Sequence, residues 1–405
     1  MKIGVYGGTY NPPHLGHLAA AKAVFEMLEL DQLWLIPAGT PPHKTMPAGS
    51  PTSDQRLEMT RLAAEQLGLG DRVKVLDLEI SRGGKSFTSD TIAELKGANR
   101  EDEFWLLMGT DMFMTFQAWH EPETILQNTG IAAFGRTEED SEELFSIQRE
   151  YLMKQYPGAR IFTLTIPGVI DISSTELREM LQKGEGGNLL APAVYGYILR
   201  NGLYNTNADL KHLTLRQLRP VALSHLKHSR IGHVLGTEEE AIRLAQSYGA
   251  DVEKARRAAL LHDCTKRLSL QEQLEICERY GVEVDELEKT SPNLLHSKTG
   301  AAIAQHVYGE CQEVCEAIKW HTTGKPHMTL LEKILYIADY IEPTRAFPGV
   351  DTLRKAVYQD LDAGVLMGME NTIDLMQRRG DPIHPNTTQA RDALRERKEK
   401  FRGES

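Results

Sequence analysis

The chain has 405 residues, more than a single hydrophobic core usually organises, so at least two domains are expected. Its residues are 41% hydrophobic and 25% charged, with 33 Gly and 18 Pro, which excludes disordered, collagenous and disulfide-framework classes. A formal charge of -11 argues against a partner that is a nucleic-acid polymer, yet leaves room for small basic pockets that hold phosphorylated ligands.

No apolar run approaches the roughly 20 residues of a membrane span, and MKIGVYGG lacks the regions of a signal peptide. A cytoplasmic address and no membrane partner are therefore expected. The four cysteines, Cys264, Cys277, Cys311 and Cys315, form no CxxC pair and read as buried free thiols.

In chain order, KIGVYG reads as a strand, LAAAKAVFEML as a helix, QLWLIPA as a strand and RLEMTRLAAEQL as a helix. The short apolar runs VKVLDLEI, EFWLLMG, GIAAFGR and RIFTLTI follow, down to about Ile170. Strands bounded by Gly or Pro and separated by helices build βαβ units, so this half is an α/β domain with a mainly parallel sheet covered on both faces. EEDSEE, Glu138 to Glu143, reads as a solvated helix start. The polar stretch YNTNADLK, Tyr204 to Lys211, carries the turn-forming residues of a linker. Past Leu213 the blocks EEAIRLAQSYG, VEKARRAALLHD, SLQEQLEICERYG, KTGAAIAQHVYG and LLEKILYIADYI are helical, and the second half is expected to be all α. The expected division is residues 1–205, a linker at 206–212, residues 213–395, and a charged tail at 396–405.

GGTYNPPHLGH, Gly7 to His17, follows the first strand and enters the first helix. Gly7 and Gly8 let backbone amides approach a ligand, and the helix adds its positive end, so phosphate is the natural occupant. His14 and His17, three apart at a helix start, fall on one side and can donate to phosphate oxygens. The plainer alternative is a Gly/Pro turn with two capping histidines. With PPHK (Pro41 to Lys44), SFTSDT (Ser86 to Thr91), GTDMFMTFQAWH (Gly109 to His120) and DISSTELR (Asp171 to Arg178), this stretch resembles the HxGH nucleotidyltransferase superfamily, and within it the nicotinate-nucleotide adenylyltransferases.

The resemblance covers about Met1 to Tyr204 and implies a Rossmann-like nucleotidyltransferase that moves AMP from ATP, bound with Mg²⁺, onto nicotinate mononucleotide. It implies ATP or substrate contacts from Gly7, Gly8, Thr9, Tyr10, Asn11, Lys44, Thr88, Gly109, Asp111, Trp119, Ser174, Thr175 and Arg178, with His14 and His17 stabilising the transition state. Ser174, Thr175 and Arg178 are expected at a helix entry, holding the β- and γ-phosphates. SSTELR is also a good capping box, and the two roles are compatible. Trp119 is expected against the nicotinate ring, Thr88 at its carboxylate, and Asp111 at the adenosine ribose. Tyr10 stands where Phe is frequent in the family, a departure of little expected consequence.

The second half spreads His233, the adjacent His262 and Asp263, His296, His321 and Asp339 over several helices. Imidazoles with carboxylates make a mixed N/O site for a transition metal, and six candidate ligands allow two ions. The strings HVLGT, LLHDCTK, LLHSKTGA, AIKWHTTG, LEKILYIADYIEPTR and IHPNT resemble the HD phosphohydrolase superfamily, in particular its small bacterial members that split diadenosine tetraphosphate into two ADP. That resemblance, over about Leu213 to Arg391, implies a di-iron-type centre on those six residues, with Mn, Co or Zn as alternatives, and Asp263 bridging. Lys266, one turn beyond His262, and Arg345 are expected to neutralise phosphate; the bland reading of Lys266 is a solvated helix-end cation. Together the halves suggest a bifunctional enzyme with independent sites. The competing readings are a second half that binds nucleotide and metal only to regulate the first, or one that hydrolyses another phosphorylated nucleotide. Assembly into homo-oligomers is left open.

Overall fold

The computed structural model describes residues 1–40, 46–135, 142–166 and 172–403, with side chains to residue 399. It divides into two compact units, Met1–Asn207 and Ala208–Ser405. Lys44, Asp171 and most of EEDSEE lie outside the described residues.

The first unit opens with β1 (Lys2–Gly8), α1 (Leu15–Met27), β2 (Gln32–Pro37), α2 (Ser53–Glu65) and β3 (Val73–Val75). Next come α3 (Leu78–Arg82), α4 (Thr88–Ala98), β4 (Glu103–Gly109), α5 (Thr110–Met114), α6 (Pro122–Asn128) and β5 (Gly130–Gly135). It closes with α7 (Glu142–Gln155), β6 (Ile161–Thr165), α8 (Ser174–Gln182) and α9 (Pro192–Arg200). The six described strands are all parallel, in the order β3-β2-β1-β4-β5-β6. One core layer packs Ile3 and Val5 of β1, Phe104, Leu106 and Met108 of β4, and Ile131 and Ala133 of β5 against Ile92, Phe113, Phe116 and Phe145. Because the chain winds one way from β1 to β2 and the other way from β1 to β4, the crevice beyond their carboxyl ends is the switch point where such sheets bind ligands.

VKVLDLEI departs from the expected strand: only Val73–Val75 pairs, and Leu78–Arg82 is a short helix. Its partner β2 ends at Pro37, which has no N–H to extend the ladder. The chain then turns at Asp77, whose carbonyl accepts the Ser81 amide.

The second unit is helical. Its elements are α10 (Leu215–Leu223), α11 (His228–Tyr248), α12 (Val252–Leu261), α13 (Leu270–Tyr280), α14 (Pro292–His306), α15 (Gln312–Trp320), α16 (Leu330–Ile341), α17 (Val350–Gln359), α18 (Leu361–Arg379) and α19 (Pro385–Gly403). The stretch that read as a linker carries turns at Leu203–Asn205 and Leu210–His212, and the charged end belongs to α19. Three cysteines are buried, but Cys311, at the cap of α15, is exposed, which corrects the expectation for that one. None of the described helices is long and apolar enough to cross a membrane.

Candidate functional sites

In the first unit, the loop after β1 and the residues after β4 meet the same edge of the sheet, since the two strands are adjacent and parallel. His14 caps α1 and is buried. The His14 and His17 rings lie 3.7 Å apart, tilted by 42°. The His14 amide donates to Nδ1 of His17 at 3.2 Å, which places the His17 ring proton on Nε2. A Cβ at Gly7 would meet nothing within 4 Å among the described residues, so they leave the space above it open.

The start of α8 reaches the same loop. Ser173 caps that helix, Ser174 Oγ donates to the Pro12 carbonyl at 3.4 Å, and Arg178 donates to the Asn11 carbonyl at 2.8 Å and to Thr175 Oγ1 at 3.0 Å. Ser174, Thr175 and Arg178 are thus brought to the His14–His17 loop. Tyr10 and Asn11 turn their side chains inward instead. Tyr10, buried, donates to the Tyr6 carbonyl, and Asn11 Oδ1 accepts the hydroxyl of buried Tyr204 at 2.8 Å. The hydroxyl that distinguishes Tyr10 from Phe therefore makes a bond within β1's own loop.

Thr88 is the first residue of α4, where helix amides point outward. Trp119 is half-buried against Phe116, with ring centres 5.4 Å apart. Phe87 and His120, their immediate neighbours, have rings 4.3 Å apart, so the Thr88 and Trp119 segments adjoin. Gly109 ends β4 and Asp111 is exposed just beyond it.

The second unit gathers its six residues from five places. His233 sits on α11, His262 and Asp263 just past α12, His296 on α14, His321 just past α15, and Asp339 on α16. Three Nδ1 atoms face the carbonyl three residues back: His262 to Ala259 at 2.6 Å, His296 to Asn293 at 2.8 Å, and His321 to Ile318 at 2.6 Å. Nδ1 of His233 faces Glu342 Oε1 at 3.1 Å. A carbonyl or carboxylate only accepts, so every ring carries its proton on Nδ1 and leaves Nε2 unprotonated; Lys266 Nζ lies 3.4 Å from that atom of His296 and Thr322 Oγ1 3.3 Å from that of His321.

The Nε2 lone pairs point at one another. Nε2 of His233 and His262 are 3.3 Å apart, and Nε2 of His296 and His321 are 3.1 Å apart. Asp339 Oδ1 lies 2.9 Å from His233 Nε2, and Asp263 Oδ1 3.2 Å from His296 Nε2. Converging acceptors repel unless a cation lies among them, and imidazoles fixed through Nδ1 are the arrangement of metal ligands with an ordered outer shell. The donor set therefore fits divalent transition ions, in two groups that share His262: His233, His262 and Asp339, and His262, Asp263 and His321. Burial lowers the pKa of His296 and takes that of His321 down to about 3, which keeps both rings neutral.

A third group, Asp285, Glu288 and His384, is satisfied without an ion. His384 Nδ1 accepts the Asn386 amide, and its Nε2 donates to Asp285 at 2.7 Å.

A cleft of about 220 Å³ opens over Asp263, His296, His321 and Asp339. Arg230, Lys266, Arg345, Tyr336 and Tyr340 line it. Lys266 follows α12 in a turn rather than in the helix itself, and its Nζ lies 3.3 Å from the His296 ring. Arg345 donates to Asp339 Oδ1 at 3.1 Å. Sequence reasoning missed Arg230, which pairs closely with Asp263 Oδ2, and Glu342. Both stood three residues from a ligand candidate, Arg230 before His233 and Glu342 after Asp339.

The comparisons with known proteins divide at the same place. The cytidylyltransferase-like family profile matches residues 5–180, and the HD domain profile matches residues 230–344. The chain is 39% identical over 163 residues to the symmetrical bis(5'-nucleosyl)-tetraphosphatase of Bacillus subtilis (strain 168), which spans 40% of this chain and 87% of that relative. It is 35% identical over 210 residues to a protein of Shouchella clausii (strain KSM-K16) named probable nicotinate-nucleotide adenylyltransferase, across 51% of this chain and 99% of that relative. A crystal structure from Clostridium acetobutylicum, described as a predicted HD superfamily hydrolase involved in NAD metabolism, is 43% identical, covering 46% of this chain and 98% of that one at a TM-score of 0.44.

Proposed function

Since the chain belongs to the cytidylyltransferase-like family in its first half and to the HD domain family in its second, we propose that it is a bifunctional nucleotide enzyme with two independent sites. The first unit transfers AMP from ATP to nicotinate mononucleotide, releasing deamido-NAD and pyrophosphate. The acceptor phosphate attacks the α-phosphorus in line, so the protein's task is to hold two anions and to meet the charge that develops. His17, with its proton on Nε2, donates to that charge beside His14. Ser174, Thr175 and Arg178 hold the β- and γ-phosphates, Asp111 accepts from the ribose, and Thr88 and Trp119 take the nicotinate carboxylate and ring. Mg²⁺ bound to ATP screens the triphosphate. Lys44 keeps its sequence-based role as a phosphate contact.

The second unit hydrolyses diadenosine tetraphosphate to two ADP. His233, His262, Asp263, His296, His321 and Asp339 would hold the metal, iron first and Mn, Co or Zn as alternatives. Divalent ions at such a site acidify water and polarise the phosphate. Arg230, Lys266 and Arg345 neutralise the phosphate chain in the cleft, and Tyr336 and Tyr340 border the space left for a nucleoside. The observation that carries this reading is the set of four Nε2 lone pairs turned toward one another.

The test uses the full chain. ATP and nicotinate mononucleotide should yield pyrophosphate and dinucleotide, and diadenosine tetraphosphate with Fe, Mn or Co should yield ADP alone. Tight metal binding with no ADP from any metal would leave the second unit as a regulatory module.

A further inference from the structure

Arg56, on α2, is 2% exposed and lies behind the loop proposed to hold the triphosphate. Its guanidinium donates to the Thr9 carbonyl at 2.8 Å and to the Gly39 carbonyl at 2.9 Å. Thr9 directly follows β1 and Gly39 follows β2, so one planar side chain ties together the two chain segments that leave the centre of the sheet. Its Nε is buried and has no hydrogen-bond acceptor among the described residues. Among the described residues, no carboxylate lies within 4.0 Å of it, and the same holds for Arg178 on the other side of the loop. The titratable neighbour of Arg56, Tyr204, is kept neutral by burial, which raises its pKa, and donates its proton to Asn11.

A buried cation without an anion is costly, and a site that retains one is prepared for an anion that comes and goes. We infer that Arg56 is a positioning residue of the first unit. It is the fixed counter-charge of the bound triphosphate and the tie that sets the spacing of the Thr9 and Gly39 segments. This rests on the transferase reading above. Arg56 is spent on two carbonyls and acts through the loop, so it attracts the triphosphate equally before and during the reaction. Uniform attraction of that kind appears in KM rather than kcat. Its role thus separates from that of His17, whose donor matters as charge develops.

The experiment measures ATP KM and kcat for adenylyl transfer by the full-length chain and its R56K and R56Q variants. R56Q should raise ATP KM about tenfold or more with kcat within about threefold of wild type, and R56K, which keeps the charge but not the planar tie, should recover part of the loss. A merely structural residue would lower the active fraction, hence kcat, with KM unchanged. That pattern in either variant, or a folded R56Q whose KM stays within about twofold, overturns the proposal. Should R56Q fail to fold, R56K carries the test by the same split. A second readout is independent of turnover: inorganic tripolyphosphate should raise the melting temperature of wild type more than that of the variants. If wild type makes no dinucleotide yet shows this difference, the transferase reading fails and the counter-charge role stands. Equal protection of all three removes the role.

Discussion

Glu342→Gln perturbs the second unit without replacing a proposed metal ligand. The Glu342 side chain is 1% exposed, and its two oxygens are fully committed. Oε1 accepts from His233 Nδ1 at 3.1 Å and from Thr344 Oγ1 at 2.6 Å, while Oε2 accepts the Thr344 amide at 2.7 Å. A glutamine amide must turn its NH₂ toward one of these sets, and either choice sets donor against donor where water does not enter. The loss of one hydrogen bond to a charged acceptor is worth about 1.5–3 kcal/mol. Where the NH₂ faces Nδ1, His233 loses the acceptor that fixes its tautomer and ring direction, and metal affinity should drop about ten- to a hundredfold. The assay titrates the metal-free chain with Zn²⁺ or Co²⁺ against a chelating dye at neutral pH. Affinity within about twofold of wild type would refute the claim that this carboxylate orients a ligand.

Gly236→Ala approaches the same point from the other side. A Cβ there would lie 2.5 Å from Glu342 Oε2, so alanine should weaken metal binding in the same direction, and unaltered affinity would show that Glu342 has room to move. His17→Ala should lower kcat for adenylyl transfer by several kcal/mol of transition-state stabilisation, about a hundredfold or more, with the fold intact by circular dichroism. A near-normal rate rejects the role. In the ion-free protein His321 has a pKa of about 3, against an ordinary value near 6.5 once unfolded. The unfolded chain therefore binds the extra proton first, and stability falls as pH drops below about 6.5, by about 2 kcal/mol at pH 5 from this ring alone. Hydrogen exchange of α14 and α15 in chelator-treated protein reads this directly, and equal protection at pH 7 and pH 5 contradicts it.

Much of the architecture was legible because the two halves bury their apolar residues with different periods. LAAAKAVFEML and LLEKILYIADYI repeat at helical spacing, while KIGVYG and EFWLLMG are short runs bounded by glycine. VKVLDLEI misled because its alternation is that of a strand, whereas its length was set by a proline in the neighbouring strand. The metal-ligand candidates were legible as residue types, but their tautomers depend on carbonyls and on Glu342, which no spacing rule selects. Arg56 was invisible for a related reason. An arginine in an amphipathic helix reads as a solvated cation, and only the tertiary fold shows that it meets two carbonyls and, among the described residues, no acid.

On the reading proposed above, the four Nε2 atoms and two carboxylates of the second unit converge on ions. Crystals of the full chain loaded with Mn²⁺, measured for anomalous scattering, test it most directly. Strong peaks are expected between His233 and His262 and between His296 and His321, bordered by Asp339 and Asp263. No peak there, or one at Asp285, Glu288 and His384 instead, would contradict it.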